Sequence, residues 1–155
     1  MRKIEFRGKP KDKSACAFAE DNGFIYGGIA FDGCTDETYI TRWNSFGLGF
    51  IENVEVDPAT VGQFTGLYVK NDKPVFDGDI LQFGERRLMV WWNGEAFQWQ
   101  AKTVPGYDLI TFDFASFCTN WTNIDLGNIY SEIPILGRMS TEIIGNIHDN
   151  PELIQ

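Results

Sequence analysis

The chain has 155 residues, of which 43% are hydrophobic and 15% aromatic, and it carries a formal net charge of −9 at pH 7. This composition is typical of a folded domain with a sizeable core, and it argues against an intrinsically disordered chain, which would be poor in aromatic residues. The negative charge disfavours general binding of nucleic acid, because a phosphate backbone needs clustered lysine and arginine to displace its counterions.

The sequence lacks the usual signals for export, membrane insertion and disulfide pairing. No apolar run approaches the roughly 18 residues of a membrane span, and no apolar segment follows the basic start. We therefore expect a protein that is neither exported nor embedded in a membrane. Its three cysteines, Cys16, Cys34 and Cys118, are widely separated, so we expect free thiols in a reducing cytoplasm.

Charge is divided unevenly along the chain. Residues 1–13 contain six basic and two acidic residues, a net charge of +4, so the remainder carries −13. One interpretation is a basic arm that binds nucleic acid. We favour a first strand whose basic side chains face solvent or meet acidic surface on this chain or on a neighbouring subunit, because Ile4-Glu5-Phe6 alternates like a strand.

The first third of the chain predicts short strands separated by turns. These strands are expected at Ile4–Arg7, Phe24–Phe31 and Glu37–Trp43. Gly27-Gly28 indicates a bulge or a close approach of two backbones within the second strand.

From Thr60 onward, turn residues recur at short intervals. Strands are predicted at Phe64–Val69, Val75–Phe76, Ile80–Phe83, Leu88–Trp92 and Ala96–Ala101. The turns between them are predicted at Asn71-Asp72, Asp77-Gly78, Gly84-Glu85 and Asn93-Gly94. Asn93-Gly94 is the strongest short-range hairpin signal in the chain.

These patterns predict a mainly β protein, because no segment of useful length keeps a helical apolar spacing. We expect a small, strongly bent barrel with additional N-terminal strands. Asn150-Pro151-Glu152 resembles a helix start and predicts a short C-terminal turn or helix. Pro58 marks the expected seam between an N-terminal β segment, residues 1–58, and a barrel region, residues 59–155, which we expect to form one structural unit.

Three segments together resemble a known family. They are Ile4–Lys9 (IEFRGK), Thr60–Leu81 (TVGQFTGLYVKNDKPVFDGDIL) and Glu142–Leu153 (EIIGNIHDNPEL), and they resemble the YopX-like family of phage and prophage proteins. The resemblance implies a mostly β protein with an SH3-like barrel element, encoded by a phage or prophage, present in the bacterial cytoplasm and self-associating. It implies no enzymatic activity and no cofactor. Residues 101–139 match nothing in this resemblance, so we treat them as a variable insert.

This chain departs from the family at one turn. Members of the family are expected to have Asn-Gly in the hairpin where this sequence has Asn71-Asp72. Asparagine and aspartate tolerate positive φ less readily than glycine. We therefore expect a less tight turn at this position.

Asp77 and Asp79 are the residues that most resemble a metal site. Two carboxylates two positions apart face the same side of an extended strand, where they can hold a hard cation such as Mg²⁺. A metal-dependent nuclease or hydrolase would need a further ligand, for which the fold would have to supply Glu85 or Glu95. We favour the alternative that Asp77-Gly78 forms a turn and Asp79 accepts hydrogen bonds from the backbone N–H groups at the start of the next strand.

Two other motifs carry weaker signals. His148 is the only histidine, so we expect it to cap the last strand rather than bind a metal or act with Cys118 and Asp149 in nucleophilic catalysis. Phe46–Phe50 contains a Gly-x-Gly pattern, but it lacks the strand-to-helix context and the lysine of a phosphate-binding loop. We expect a simple loop there.

Aromatic residues supply the candidates for a contact surface. Alternate residues of Leu88–Trp92 point to opposite faces, and both faces are apolar, so one fills a core while the other must be covered. Trp91 is expected to be the exposed tryptophan. With Trp99, Arg86 and Arg87 it is a candidate stacking platform for single-stranded nucleic acid or a subunit interface. We favour the interface because the body of the chain is acidic.

The sequence therefore predicts a non-enzymatic accessory protein of a phage or prophage. It is expected to form homo-oligomers and to bind a host or phage protein, with neither nucleic acid nor membrane as a partner. The alternative is a nucleic-acid-associated barrel, or a metal-dependent hydrolase that uses Asp77 and Asp79.

Overall fold

The computed structural model describes residues 3–12, 23–43, 51–103, 111–113 and 141–155. These residues form eleven strands and no helix of seven or more residues, which confirms the predicted mainly β class. Among the same residues, no helix is long and apolar enough to cross a membrane. The chain divides into two compact units, Met1–Phe64 and Thr65–Gln155. Cys16, Cys118, Phe46–Phe50 and most of the predicted insert at residues 101–139 lie outside the described residues.

The first unit is an antiparallel sheet. Its strands are β1 (Phe6–Gly8), β2 (Ile25–Phe31), β3 (Thr38–Trp43), β4 (Ile51–Val56) and the beginning of β5 (Gly62–Val69). They are arranged in the order β4-β3-β2-β1-β5. The sequence predicted β1, β2 and β3 but missed β4. Pro58, the predicted seam, begins a 3-10 helix at Pro58–Thr60 within this unit.

The segment that follows β1 curls this sheet. Pro10 bridges to Val56 in β4, and the Lys11 backbone N–H donates to the Glu55 carbonyl at 3.1 Å. One continuous segment therefore pairs with β2 through β1 and with β4 a few residues later, so the sheet bends round to form a half-barrel. The bend encloses a core of Ile25, Ile40, Val54 and Val56.

Gly27 lies where the backbones of β2 and β3 approach closely. A Cβ atom at this position would lie 2.2 Å from the Thr41 carbonyl oxygen, a distance that no side chain can tolerate. The predicted close approach at Gly27-Gly28 is therefore confirmed, and its cause is the neighbouring strand.

The second unit contains a five-stranded antiparallel sheet. β5 continues into this unit and is followed by β6 (Lys73–Phe76), β7 (Asp79–Phe83), β8 (Arg86–Asn93), β9 (Gln98–Thr103), β10 (Thr111–Asp113) and β11 (Thr141–Asn146). β6 is the neighbour of β5, and the other five strands follow the order β10-β9-β8-β7-β11. The core consists of Val69, Val75, Leu81, Leu88, Val90, Trp99 and Ala101. A 3-10 helix at Pro151–Ile154 matches the predicted C-terminal turn or helix.

The predicted turns in the second unit are present, although the loop at Asn93-Gly94 is longer than a two-residue turn. Asn71 and Asp72 both have positive φ, 61° and 54°, so the backbone at this turn is left-handed despite the absence of glycine. Gly84, with φ 58°, begins the two-residue connection between Phe83 and Arg86, which pair across β7 and β8.

The Asn93-Gly94 hairpin is wider than a two-residue turn. Asn93 pairs with Gln98, so the loop is Gly94–Phe97. The Asn93 Oδ1 atom accepts hydrogen bonds from the backbone N–H groups of Glu95 and Ala96 at 2.9 and 3.1 Å. Asn93 thus stabilises the loop from the end of β8, and the positive φ falls on Phe97 instead of Gly94.

Candidate functional site

The acidic turn, Asp77–Asp79, leads from β6 into β7. Asp79 is only 1% exposed, and its Oδ2 atom accepts a hydrogen bond from the Phe76 backbone N–H at 2.8 Å. Gly78 has φ 80°, and its N–H donates to the Val90 carbonyl at 3.0 Å. The buried carboxylate therefore holds the backbone of the turn. The sequence led us to expect a donor at the start of the next strand, whereas the donor, Phe76, lies at the end of the preceding strand, β6.

The end of β11 and the turn that follows it lie against the acidic turn. Asn146 pairs with Asp79, and the Ile147 N–H donates to the Gly78 carbonyl at 2.9 Å. The Asn146 Oδ1 atom accepts from the backbone N–H groups of His148 and Asp149, both at 3.0 Å. Two of the segments that carry the family resemblance thus meet here, and they meet through backbone hydrogen bonds.

The described residues do not assemble a metal centre at the acidic turn. Across the described ranges, no group of three or more histidine, cysteine, aspartate or glutamate side chains is placed to hold a metal ion. Glu85 and Glu95, the further ligands considered from the sequence, lie exposed in the two hairpin loops that flank β8. His148 occupies the turn after β11, where its N–H donates to Asn146.

A second candidate lies on the β8–β9 hairpin. We call Trp92, Glu95 and Phe97 the hairpin tip. Trp92 is 43% exposed and Phe97 is 79% exposed, and the Glu95 side chain between them is also exposed. The Trp92 ring packs edge to face with the Trp99 ring, with centroids 5.1 Å apart. The tip therefore presents aromatic surface outward from the end of the hairpin.

The exposed tryptophan is Trp92, whereas the sequence favoured Trp91. Trp91 is half-buried, with the Lys102 Nζ atom 5.5 Å from the centre of its ring. Trp99 is 8% exposed and belongs to the core. Strand alternation correctly put Trp92 on the face of Leu88 and Val90, but Trp92 lies near the end of the strand, past those core residues. Trp92 is exposed because of its position along the strand. The alternation of side chains between the two faces gives no information about that position.

Arg86 and Arg87 lie at the opposite end of β8 from the hairpin tip. Trp92 is five positions after Arg87, which corresponds to roughly 17 Å along an extended strand. The Arg87 Nη1 atom instead lies 3.5 Å from the Leu153 carbonyl oxygen, near the C-terminal 3-10 helix. The two arginines therefore do not form one basic and aromatic groove with the exposed tryptophan.

Phe97 is held in a backbone conformation that usually favours glycine. Its φ is 50°, and a left-handed conformation costs a residue other than glycine about 1–2 kcal/mol. Because the side chain is 79% exposed, packing within the described part of the chain does not account for this strain. Strained residues persist where the surrounding structure fixes them, and they are enriched at functional sites, which makes Phe97 a candidate.

The basic N-terminal segment contacts its own unit. Arg7 is 4% exposed and its Cζ atom lies 4.5 Å from the centre of the Phe24 ring, while the Lys9 Nζ atom lies 5.1 Å from the same centre. The Lys11 Nζ atom forms an ion pair with Glu55 at 2.5 Å. These contacts support the interpretation in which the basic residues meet aromatic and acidic groups of the same chain.

The phenol of Tyr39, in β3, has a perturbed pKa. The Tyr39 hydroxyl donates to the Glu37 Oε2 atom at 2.6 Å. This hydrogen bond, with smaller contributions from burial and from nearby carboxylates, raises the pKa of Tyr39 to about 12. The phenol therefore stays protonated at neutral pH and acts as a hydrogen-bond donor in the first unit.

The described residues thus define a small antiparallel β protein whose acidic turn is structural and whose β8–β9 hairpin carries two exposed aromatic residues, Trp92 and Phe97. The YopX protein family matches residues 6–155, and the chain belongs to this family. A solved structure, the crystal structure of protein EF1440 from Enterococcus faecalis, is similar over 100% of both chains, with 21% sequence identity and a TM-score of 0.42. No curated protein matches the chain.

Proposed function

We propose that this protein is a non-enzymatic accessory protein of a phage or prophage that acts in the bacterial cytoplasm by associating with copies of itself and by binding a host or phage protein. The observation that carries the proposal is the exposed aromatic surface of the hairpin tip. The phage origin and the cytoplasmic location are inferred from the resemblance of the three sequence segments to YopX-like proteins.

The composition of the hairpin tip supports a role in association. Tryptophan and phenylalanine bury large areas on contact, and aromatic residues are enriched in protein interfaces. Trp92 and Phe97 belong to the same hairpin, and both expose aromatic surface to solvent. The strained backbone of Phe97 gives a second reason to assign a role to this residue.

The acidic turn supports the non-enzymatic part of the proposal. Catalytic carboxylates face a cleft in which substrate can reach them. Asp79 is instead buried and accepts a hydrogen bond from a backbone N–H three residues earlier. The residue that most resembled a catalytic acid in the sequence therefore has a structural function that accounts for it.

We also propose that residues 59–155 form an SH3-like barrel element. The support is a meander of short antiparallel strands, β7-β8-β9, joined by tight hairpins and packed over a small apolar core.

Light scattering across a range of concentrations tests the proposed self-association. The wild-type protein is expected to have a mass well above that of the 17.6 kDa protomer, and Trp92→Ala is expected to lower it. Ile144→Ala is the matched control, since Ile144 is an exposed apolar residue on β11, at the far edge of the sheet from β9. A wild-type protein that stays monomeric at micromolar concentration would overturn the proposal.

A titration of the same protein preparation with nucleic acid distinguishes self-association from nucleic-acid binding. Labelled single-stranded DNA and RNA are titrated at low salt, where contacts to phosphate are strongest. We expect no binding, because Arg86 and Arg87 lie away from the exposed tryptophan. Binding that Trp92→Ala abolishes would instead favour the nucleic-acid-associated barrel.

A further inference from the structure

The loop at the end of the β8–β9 hairpin begins with an Asn-Gly dipeptide that is open to a reaction within the chain. Asn93 pairs with Gln98 and closes the loop, and Gly94 is exposed. In the described part of the chain, no atom beyond its chain neighbours lies within 4 Å of the position that a Cβ atom of Gly94 would take. Because glycine lets the backbone approach other groups closely, no side chain of its own shields its peptide nitrogen from the carboxamide carbon of the preceding asparagine.

The carbonyl oxygen of the Asn93 side chain contacts the backbone of this loop. The Oδ1 atom accepts hydrogen bonds from the backbone N–H groups of Glu95 and Ala96 at 2.9 and 3.1 Å. Two donors directed at one carbonyl oxygen stabilise the negative charge that develops on this oxygen when a nucleophile adds to the carbon. Hydrogen bonds to a charged acceptor are stronger than those to a neutral one, so these two bonds stabilise the adduct more than the resting amide.

We propose that Asn93 is a site of spontaneous deamidation in the folded protein and that the N–H groups of Glu95 and Ala96 promote the reaction. The Gly94 nitrogen gives its proton to hydroxide and bonds to the Asn93 Cγ atom. The bond from Cγ to Nδ2 then breaks, and ammonia leaves after it takes a proton from water. The cyclic imide that remains adds one water molecule and opens to aspartate or to isoaspartate, so the net change consumes one water and releases one ammonia.

Both products alter the end of the hairpin. A new carboxylate appears two residues before Glu95, and the Asn93 Nδ2 atom, which donates to the Gln100 Oε1 atom at 3.0 Å, is lost. In isoaspartate the backbone runs through the former side chain, which adds one methylene group between the Cα atom of residue 93 and the Gly94 nitrogen. The pairing with Gln98 and the side-chain acceptor of the loop N–H groups are then both displaced, so the hairpin tip loses its fixed geometry.

Ageing of the folded protein at mildly alkaline pH tests the proposal. Peptide mapping by mass spectrometry follows the conversion of Asn93, and enzymatic methylation detects isoaspartate. The reference is the protein unfolded in urea, where Asn93 and Asn22-Gly23, the other Asn-Gly in the sequence, are expected to react at similar rates. We expect Asn93 to react roughly two- to tenfold faster in the folded protein than in urea, because the two donors are in place only in the folded hairpin.

Two variants separate the dipeptide from the loop that surrounds it. Gly94→Ala adds a Cβ atom beside the attacking nitrogen, so it is expected to slow the reaction in the folded and the unfolded protein alike. Ala96→Pro removes one N–H donor and is expected to slow the reaction only in the folded protein. Loss of one donor from a buried oxyanion site costs about 10²–10³-fold in rate, and since Ala96 is exposed to water we expect a smaller factor here, roughly three- to tenfold.

The effect of the modification on the hairpin is measured on the aged protein. Asn93→Asp carries the ordinary aspartate from synthesis and is the matched control, because it has the added charge without the longer backbone. The isoaspartate fraction is expected to melt at a lower temperature than Asn93→Asp. Equal melting temperatures would overturn the predicted loss of hairpin geometry.

The rates decide between the possible outcomes. An Asn93 that stays intact in the folded protein while it reacts in urea would overturn the proposal, and this comparison needs no variant. Equal or faster reaction in folded Ala96→Pro would also overturn it, because the loop would then have no effect or a protective one. The test does not depend on self-association, so a monomeric wild-type protein that deamidates at Asn93 would remove the proposed function and leave this site standing.

Discussion

The acidic turn and the β8–β9 hairpin loop, Gly94–Phe97, resemble each other in sequence, since each contains glycine and an acidic residue, yet their structures differ. In the acidic turn, Gly78 takes the positive φ and the Asp79 carboxylate is buried. In the hairpin loop, Gly94 is not the residue with positive φ, and the exposed Phe97 takes that conformation instead. The first turn satisfies the local rules of chain reversal, and the second departs from them.

This difference shows where a functional residue is to be sought in a small β protein. Closely spaced glycine, asparagine, aspartate and proline residues are explained by the chain reversals that they allow. A residue that breaks a local preference without a compensating contact is the better candidate for function. By this criterion Phe97 is a stronger candidate than Asp77 or Asp79, although in the sequence the two aspartates most resembled a metal site.

The largest effect is expected from Asp79→Ala in the acidic turn. The substitution leaves the buried Phe76 N–H without its carboxylate acceptor, so we expect a loss of about 2–3 kcal/mol in the free energy of unfolding, measured with urea. Asp79→Asn keeps an acceptor oxygen and is the control, with a smaller expected loss. A change below roughly 0.5 kcal/mol for Asp79→Ala, the range of ordinary surface substitutions, would contradict the structural role.

A smaller loss is expected from Gly78→Ala. The backbone φ of 80° is unfavourable for alanine, and the added Cβ atom would lie 3.2 Å from the Ile147 Cγ1 atom. We expect a destabilisation of about 1–2 kcal/mol. Gly94→Ala is the matched control, because nothing lies within 4 Å of a Cβ there and its φ is not positive, so stability should be unchanged or slightly raised. Equal losses at the two glycines would remove the distinction between the turns.

The hairpin loop depends on Asn93 more than on Gly94. Asn93→Ala removes the acceptor of the Glu95 and Ala96 N–H groups, both of which remain open to water. We expect a loss of about 1 kcal/mol, as for other side-chain caps of backbone N–H groups. Asn93→Asp keeps the acceptor and should retain most of the stability in the same urea experiment. An unchanged stability for Asn93→Ala would show that the loop is held by other contacts.

The smallest effect has the opposite sign. Phe97→Gly relieves the strain of the positive φ but adds conformational freedom to the unfolded chain, so we expect a net gain of about 0.5 kcal/mol. Thermal unfolding must be followed at a concentration low enough that association does not contribute. Phe97→Asn, which also tolerates positive φ, is the control. A clear drop in the melting temperature for both variants would mean that the ring packs within the protein and is not presented for binding.

Much of the secondary structure could be predicted from the sequence. Strands β5 to β9 were recognised because apolar residues lie between regularly spaced turn residues, and their observed bounds differ by at most two residues. No bounds were predicted for β10 and β11. β4, Ile51–Val56, was missed because Glu52, Asn53 and Glu55 interrupt its apolar pattern. Its pairing with β3 and the burial of Val54 and Val56 depend on partners that are distant in sequence.

The same limit applies to the candidate sites. The sequence correctly predicted that Asp77-Gly78 turns the chain, because turn chemistry is local. It assigned the Asp79 carboxylate to N–H groups at the start of the next strand, whereas the donor is Phe76, at the end of the preceding strand. The sequence wrongly predicted that Trp91 is the exposed tryptophan. Strand alternation tells which face of the sheet a side chain lies on, but not how deeply it is buried. The positive φ at Phe97 was not predicted, since Asn-Gly is usually the left-handed pair of a hairpin.

The sequence by itself determined that this chain is mainly β, that it reverses direction at these turns, and that it resembles the YopX family, because each of these depends on residues that are near one another along the chain. Only the tertiary structure decided that the segment after β1 reaches β4, that the acidic turn meets the turn after β11, and that Trp92 and Phe97 are left exposed. The physical reason is that burial and pairing are set by contacts between distant segments, whose geometry no local pattern contains.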